Sequence, residues 1–117
     1  MQQVIASLTF DSRLQPLAVR SAVAEMIELS FEADGIEIEM QCTPASDDHD
    51  RWDVMGQVSS ASEPKRIALY SPESGEVIVD AVVDSRGMFQ MQCQPGAFAL
   101  VIEVDDSAVR TPMFELK

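Results

Sequence analysis

The sequence predicts an all-β fold, a single antiparallel β-sandwich domain over residues 1–117, and three observations carry that expectation. Apolar and polar residues alternate with a period of two through most of the chain, where a helix would repeat at 3.6. Turn-forming clusters separate these runs at about the 8–12-residue spacing of sandwiches and barrels. A length of 117 residues with 46% hydrophobic and 24% charged composition suits one globular core and leaves little room for a second.

Each element has its own reason. Val4 to Phe10 reads as a strand of modest strength. Val19, Ala22, Val23 and Met26 recur at helical spacing, which leaves room for one short helix near residues 18–26. Ile27, Leu29 and Phe31 alternate with Glu28, Ser30 and Glu32, which favours a strand over 25–32. Ala33-Asp34-Gly35 then turns a hairpin into Ile36, Ile38 and Met40, whose intervening Glu37 and Glu39 share the opposite face. Trp52 to Val58, Arg66 to Tyr70, Val77 to Val83 and Met88 to Cys93 follow as further strands. Ala97 to Val104 places Phe98, Leu100, Ile102 and Val104 on one face and smaller residues on the other. Val109 to Leu116 completes the set, and Pro112, which has no N–H for a ladder, assigns it to an edge.

Twenty acidic residues against eight basic ones give a net charge of −12 and a pI near 4.2. Nucleic acid and anionic membrane are therefore excluded as expected partners, because binding either begins with neutralising phosphates. Met1-Gln2-Gln3-Val4-Ile5 has no basic segment leading into an apolar core, so the expected compartment is the cytoplasm unless a leader has been removed. No apolar run approaches the roughly 20 residues of a membrane-spanning helix. Cys42 and Cys93 are expected as buried free thiols, able to pair only if their strands are neighbours.

Chemistry has few footholds. His49 is the single histidine, and the chain contains neither a CxxC pair nor a Gly-x-Ser-x-Gly elbow. Zinc binding and Ser or Cys hydrolysis thus lack their residue sets, and no catalytic residue, metal or cofactor is expected. Asp47-Asp48-His49-Asp50 departs from the spaced D-x-D-x-D-G pattern that wraps calcium, which leaves an acidic loop. Glu37 and Glu39 read as a solvated strand face, since a glycosidase pair needs a cleft that drives two carboxyl pKa values apart. Trp52 is expected in the core, as are most of the seven methionines, with an adaptable contact surface as the alternative for the latter.

Gly56-Gln57-Val58, Asp84-Ser85-Arg86-Gly87-Met88-Phe89 and Pro95-Gly96-Ala97-Phe98-Ala99-Leu100 together resemble the G-x-V, D-x-x-G-x-F and P-G-x-[YF]-x-L progression of carboxypeptidase-regulatory-like domains. The resemblance implies an Ig-like, transthyretin-like (prealbumin-like) sandwich of about seven to eight strands. In physical terms Asp84 and Gly87 make a tight turn, Phe89 enters the core, Pro95-Gly96 reverses the chain, and Phe98 with Leu100 return beside it. Leu8-Thr9-Phe10-Asp11-Ser12, Gln15-Pro16-Leu17, Val19-Arg20-Ser21 and the hairpin Ile27 to Met40 are similar to a bacterial group encoded near extracytoplasmic-function sigma factors. In that group a zinc-binding anti-sigma segment often precedes the β-domain, and some members occur with caspase-like CHAT proteases. This chain lacks the Cys and His set of the zinc segment, so sigma-factor inhibition by such a segment is not carried over.

The expected function is a non-catalytic protein-interaction module in a bacterial regulatory assembly. The resemblance implies a sigma factor, an anti-sigma factor or a CHAT-type protease as partner. Sheet edges and an acidic surface would meet a basic surface on that partner. The expected contact residues are Glu28, Glu32, Glu37, Glu39, Asp47, Asp48, Asp50 and Arg51. One rival is an extracytoplasmic carbohydrate-binding or adhesive sandwich, which needs exposed aromatics from a total of seven. Another is an acidic mimic of nucleic acid, suggested by the −12 charge and opposed by the spread of acids, eleven before residue 60 and nine after.

Overall fold

The period-two runs fold as two sheets whose apolar faces meet. The computed structural model describes residues 2–14, 26–45, 50–61, 64–104 and 107–116. In chain order the strands are β1 (Gln2–Ile5), β2 (Ser7–Asp11), β3 (Ile27–Ala33), β4 (Ile36–Pro44), β5 (Trp52–Ser59), β6 (Pro64–Tyr70), β7 (Val77–Val82), β8 (Met88–Cys93), β9 (Gly96–Val104), β10 (Ser107–Arg110) and β11 (Phe114–Leu116). The β9 sheet runs β1-β10-β9-β6-β7, with β11 also paired to β9, and the β4 sheet runs β2-β3-β4-β5-β8. The protein is an all-β sandwich.

The same alternation that marks the strands fills the core. Ile27, Leu29 and Phe31 of β3, Ile38, Met40 and Cys42 of β4 and Trp52, Val54 and Val58 of β5 are all buried. They face Ile67 and Leu69 of β6 and Phe98, Leu100 and Ile102 of β9 in one apolar cluster. Burial of each large aliphatic side chain contributes about 1.5–3 kcal/mol. Phe114 joins the sheets, its ring 6.1 Å from that of Phe31 and 6.4 Å from that of Phe98. Arg13 closes the same side from outside. Its Nε and Nη2 each lie 3.1 Å from the Asp11 carboxylate while Nη1 donates to the Glu115 carbonyl at 2.7 Å, tying β2 to β11.

Eleven strand segments are described where the resemblance implies about seven to eight and the alternation marks nine runs, and two interrupted runs account for the step from nine to eleven. The run Val4 to Phe10 changes sheets at buried Ala6, whose N–H donates to the Arg110 carbonyl at 2.8 Å. As a result β1 pairs with β10 in parallel, and the sandwich is not wholly antiparallel. The run Val109 to Leu116 breaks around Pro112. On β9, Arg110 faces Val101 but Phe114 faces Phe98, so one extra residue is accommodated between β10 and β11. Thr111 spans the break: its N–H donates to the Leu100 carbonyl at 3.0 Å, and its Oγ1 accepts the Leu100 N–H at 2.9 Å.

The strand expected over 25–32 is β3, and its hairpin to β4 turns at Asp34 and Gly35 with φ of 38° and 80°, the two positive values of a type I′ turn. Residues 18–25 of the helical alternative lie outside the described residues, and Met26 precedes β3 in irregular backbone. The Asp84 turn forms as expected: Asp84 Oδ1 accepts the N–H groups of Arg86 and Met88, both at 2.9 Å. Phe89 is buried on β8, whereas Phe98 and Leu100 line the core from the opposite sheet. They do not return beside Phe89, because Gln94-Pro95 carries the chain across the sandwich.

Cys42 on β4 and Cys93 on β8 flank β5, opposite Val54 and Trp52 respectively. Two strand spacings of about 4.8 Å separate their strands. That exceeds the about 7 Å that a disulfide spans, and both thiols are free and buried.

Candidate functional site

Charge divides by sheet. The five strands of the β4 sheet contain Asp11, Glu28, Glu32, Glu37, Glu39 and Asp53 and no Lys, Arg or His. Strands of the β9 sheet are balanced, with Asp80, Glu103 and Glu115 against Lys65, Arg66 and Arg110. The outward positions of β3, β4, β5 and β8 therefore form an acidic and amide-rich face. Register makes this placement firm, since a slip of one residue would bury Glu37 and Glu39 and expose Ile38 and Met40.

Cross-strand pairing sets the neighbours on that face. Glu32 stands directly opposite Glu37, and Ser30, Glu39, Gln57 and Met88 form one row across four strands. Glu28, Gln41 and Met55 form the next. A groove of about 410 Å³ crosses these rows, with Phe10, Met55 and Met88 supplying apolar walls and Glu28 and Glu39 supplying charge. A second hollow of about 210 Å³ lies between Phe10, Glu32, Glu37 and Glu39. Gly56 lies in the strand beneath the groove. A Cβ there would stand 2.3 Å from the Phe89 ring and 2.6 Å from the Glu39 carbonyl oxygen, so glycine is what lets Phe89 lie across β5.

The structure thus brings Glu28, Glu32, Glu37 and Glu39 together on one face. Asp50 is exposed in the turn before β5. Arg51 is half-buried, with Nε 3.9 Å from Asp53 Oδ1, and Asp53 Oδ1 also accepts the Gln92 amide at 3.0 Å. Asp47 and Asp48, with His49, lie outside the described residues. Phe10 is a groove residue that the sequence did not single out, and Met55 and Met88 stood out only among the methionines, with a contact surface as the alternative to the core. Their signal was the alternation itself, which puts Met55 between inward Val54 and Gly56 and Met88 beside inward Phe89.

Among the described residues no three His, Cys, Asp or Glu side chains converge as metal ligands. Burial pushes the Cys42 thiol up to about 12, with Cys93 adding to the effect, and pushes Cys93 up to about 11. Both thiols are protonated at neutral pH, the reverse of an activated nucleophile. The chain matches no protein-family model, no curated protein and no solved structure.

Proposed function

We propose that the protein is a non-catalytic interaction module that docks a basic protein partner on the outer face of the β4 sheet. The observation that carries this reading is the combination of five outward acids, Glu28, Glu32, Glu37, Glu39 and Asp53, on strands that contain no base, with an apolar-walled groove on the same face. A partner segment bearing Lys or Arg next to an apolar side chain fits both features. Its cation would lie among Glu28, Glu39 and the Glu32 to Glu37 pair, and its apolar neighbour would rest against Phe10, Met55 and Met88. Carboxylates facing each other across strands repel by a few tenths of a kcal/mol, and a bound cation reverses that sign. The two neutral, buried thiols support a non-catalytic role.

The partner class follows from the sequence resemblance. A transthyretin-like domain of that bacterial group would act in a regulatory assembly with a sigma factor, an anti-sigma factor or a CHAT-type protease. The carbohydrate-binding reading has less support, since six of the seven aromatic side chains are buried and Phe10 is half-buried, leaving no exposed ring platform. A nucleic-acid mimic would use the same charges but not the groove. The test is retention of partners from the native host on tagged protein at low and moderate salt, with Glu37→Gln/Glu39→Gln protein in parallel. Recovery of a regulator of those classes, weakened by salt and by the substitutions, supports the proposal. Retention indifferent to both contradicts it.

A further inference from the structure

The free edge of the β9 sheet carries a separate signal. Among the described residues β7 pairs only with β6, so its other side presents unpaired backbone N–H and C=O groups. Three large apolar side chains on this strand are exposed, Val77 at 61%, Ile78 at 47% and Val82 at 77%. The strand has no Pro or Lys, the residues that usually guard such an edge, and its one irregularity lies at Ile78, leaving Val79 to Val82 regular. Other sheet ends are better protected: β2 has a bulge between Leu8 and Phe10, β1 has four residues, and β8 turns Gln90 and Gln92 outward.

From these features we infer that β7 is a self-association edge, at which a second copy of this chain adds its own β7 antiparallel and extends the β9 sheet. Charge selects the occupant. Two molecules of net charge −12 repel everywhere that acids are unopposed, and the β4 sheet is the worst place to meet. On β7 the single charged residue, Asp80, is ion-paired with Arg66 of β6, so the strand itself is neutral and apolar, with exposed Glu76 before it and Asp84 after it as flanking acids. A basic foreign partner gains no charge pairing along Val77 to Val82, whereas an identical neutral strand, centred near Val79 so that Glu76 and Asp84 of the two copies stay apart, gains backbone pairing and apolar burial. Two-fold symmetry also suits the geometry, since one patch serves both copies. Registers that set Asp80 opposite Asp80 of the second copy are disfavoured, as like charges across strands repel.

Salt separates this inference from the docking of a basic partner. The screening length falls from about 30 Å at 0.01 M to about 3 Å at 1 M, so a dimer of like-charged copies tightens with salt whereas an acidic-face complex loosens. Sedimentation equilibrium of the full chain, at concentrations up to about 1 mM across that salt range, reads the dimer directly. The expected result is a reversible dimer that strengthens with salt and is weakened about tenfold or more by Val82→Lys and by Ile78→Lys, with unchanged thermal midpoints. Glu37→Gln should leave it no weaker. A monomer at every condition, a dimer that loosens with salt, or one indifferent to both lysine substitutions overturns the inference.

Discussion

At Gly87 the backbone has φ of 82°, and a Cβ would lie 2.3 Å from the Val58 carbonyl oxygen. That carbon would strike backbone, not a movable side chain, while the Gly87 carbonyl accepts the Val58 N–H at 2.8 Å. Gly87→Val is therefore expected to destabilise the fold by more than about 1 kcal/mol, read as a fall in the urea midpoint. An unchanged midpoint would refute the turn. The Asp84 carboxyl beside it is held below the usual carboxylate range, mainly by the Met88 N–H and also by that of Arg86. Its contribution is present above the unfolded-state pKa and disappears as pH falls through the lowered native value. The buried thiols act at the other end of the scale. Cys42 and Cys93 titrate near 9.0 when unfolded and up to about 12 and about 11 in the fold, so the native state holds their protons longer. Their contribution is complete below pH 9.0 and is lost as pH rises through those raised values. Replacing both by Ala should make the alkaline decline in stability shallower, and an identical slope would contradict the assignment.

Among the elements, the divided edge run β10 and β11 is the most exacting. Pro112 interrupts the ladder, and Thr111 alone supplies both halves of the missing pair to Leu100. Thr111 is 3% exposed, so Thr111→Val would leave the Leu100 N–H buried without its acceptor. The expected cost is about 1–3 kcal/mol in thermal or urea unfolding, with Thr111→Ser costing less. Equal stability of the Val and Ser variants would contradict this role. The strands themselves were legible from alternation, and the β3 to β4 hairpin from Asp34-Gly35, because those signals are local. Sheet membership was not. Ala6 looks like any strand residue in the sequence, yet it is where one run leaves β10 for β3, and only tertiary pairing decides that. The same holds for Phe89 and Phe98, nine positions apart along the chain yet in opposite sheets.

Across the whole molecule the decisive feature is segregation of charge. In the linear sequence the acids divide almost evenly, eleven before residue 60 and nine after, which hides their placement. Folding assigns β2, β3, β4, β5 and β8 to one sheet and so gathers six acids on strands that contain no base, with Arg13 beside Asp11 and Arg51 beside Asp53 from outside the strands. The four glutamates were legible because period two fixes their face. The groove was not, because Phe10, Met55 and Met88 come from three strands distant in sequence. Under the proposed function, such a face trades stability for recognition. Glu37→Gln removes the repulsion facing Glu32 and should stabilise the free protein by about 0.2–1 kcal/mol while weakening a basic ligand. A loss of stability together with unchanged binding would count against a recognition role for this pair.

The most direct measurement is an NMR titration of isotope-labelled protein with a short peptide of alternating Arg and Leu, at low and at high salt. Binding to the acidic face predicts amide shifts concentrated at Glu28, Ser30, Glu39, Gln41 and Met55, with methyl shifts at Met55 and Met88, all reduced by salt. Shifts confined to the β9 sheet, or none at low salt, would contradict the account.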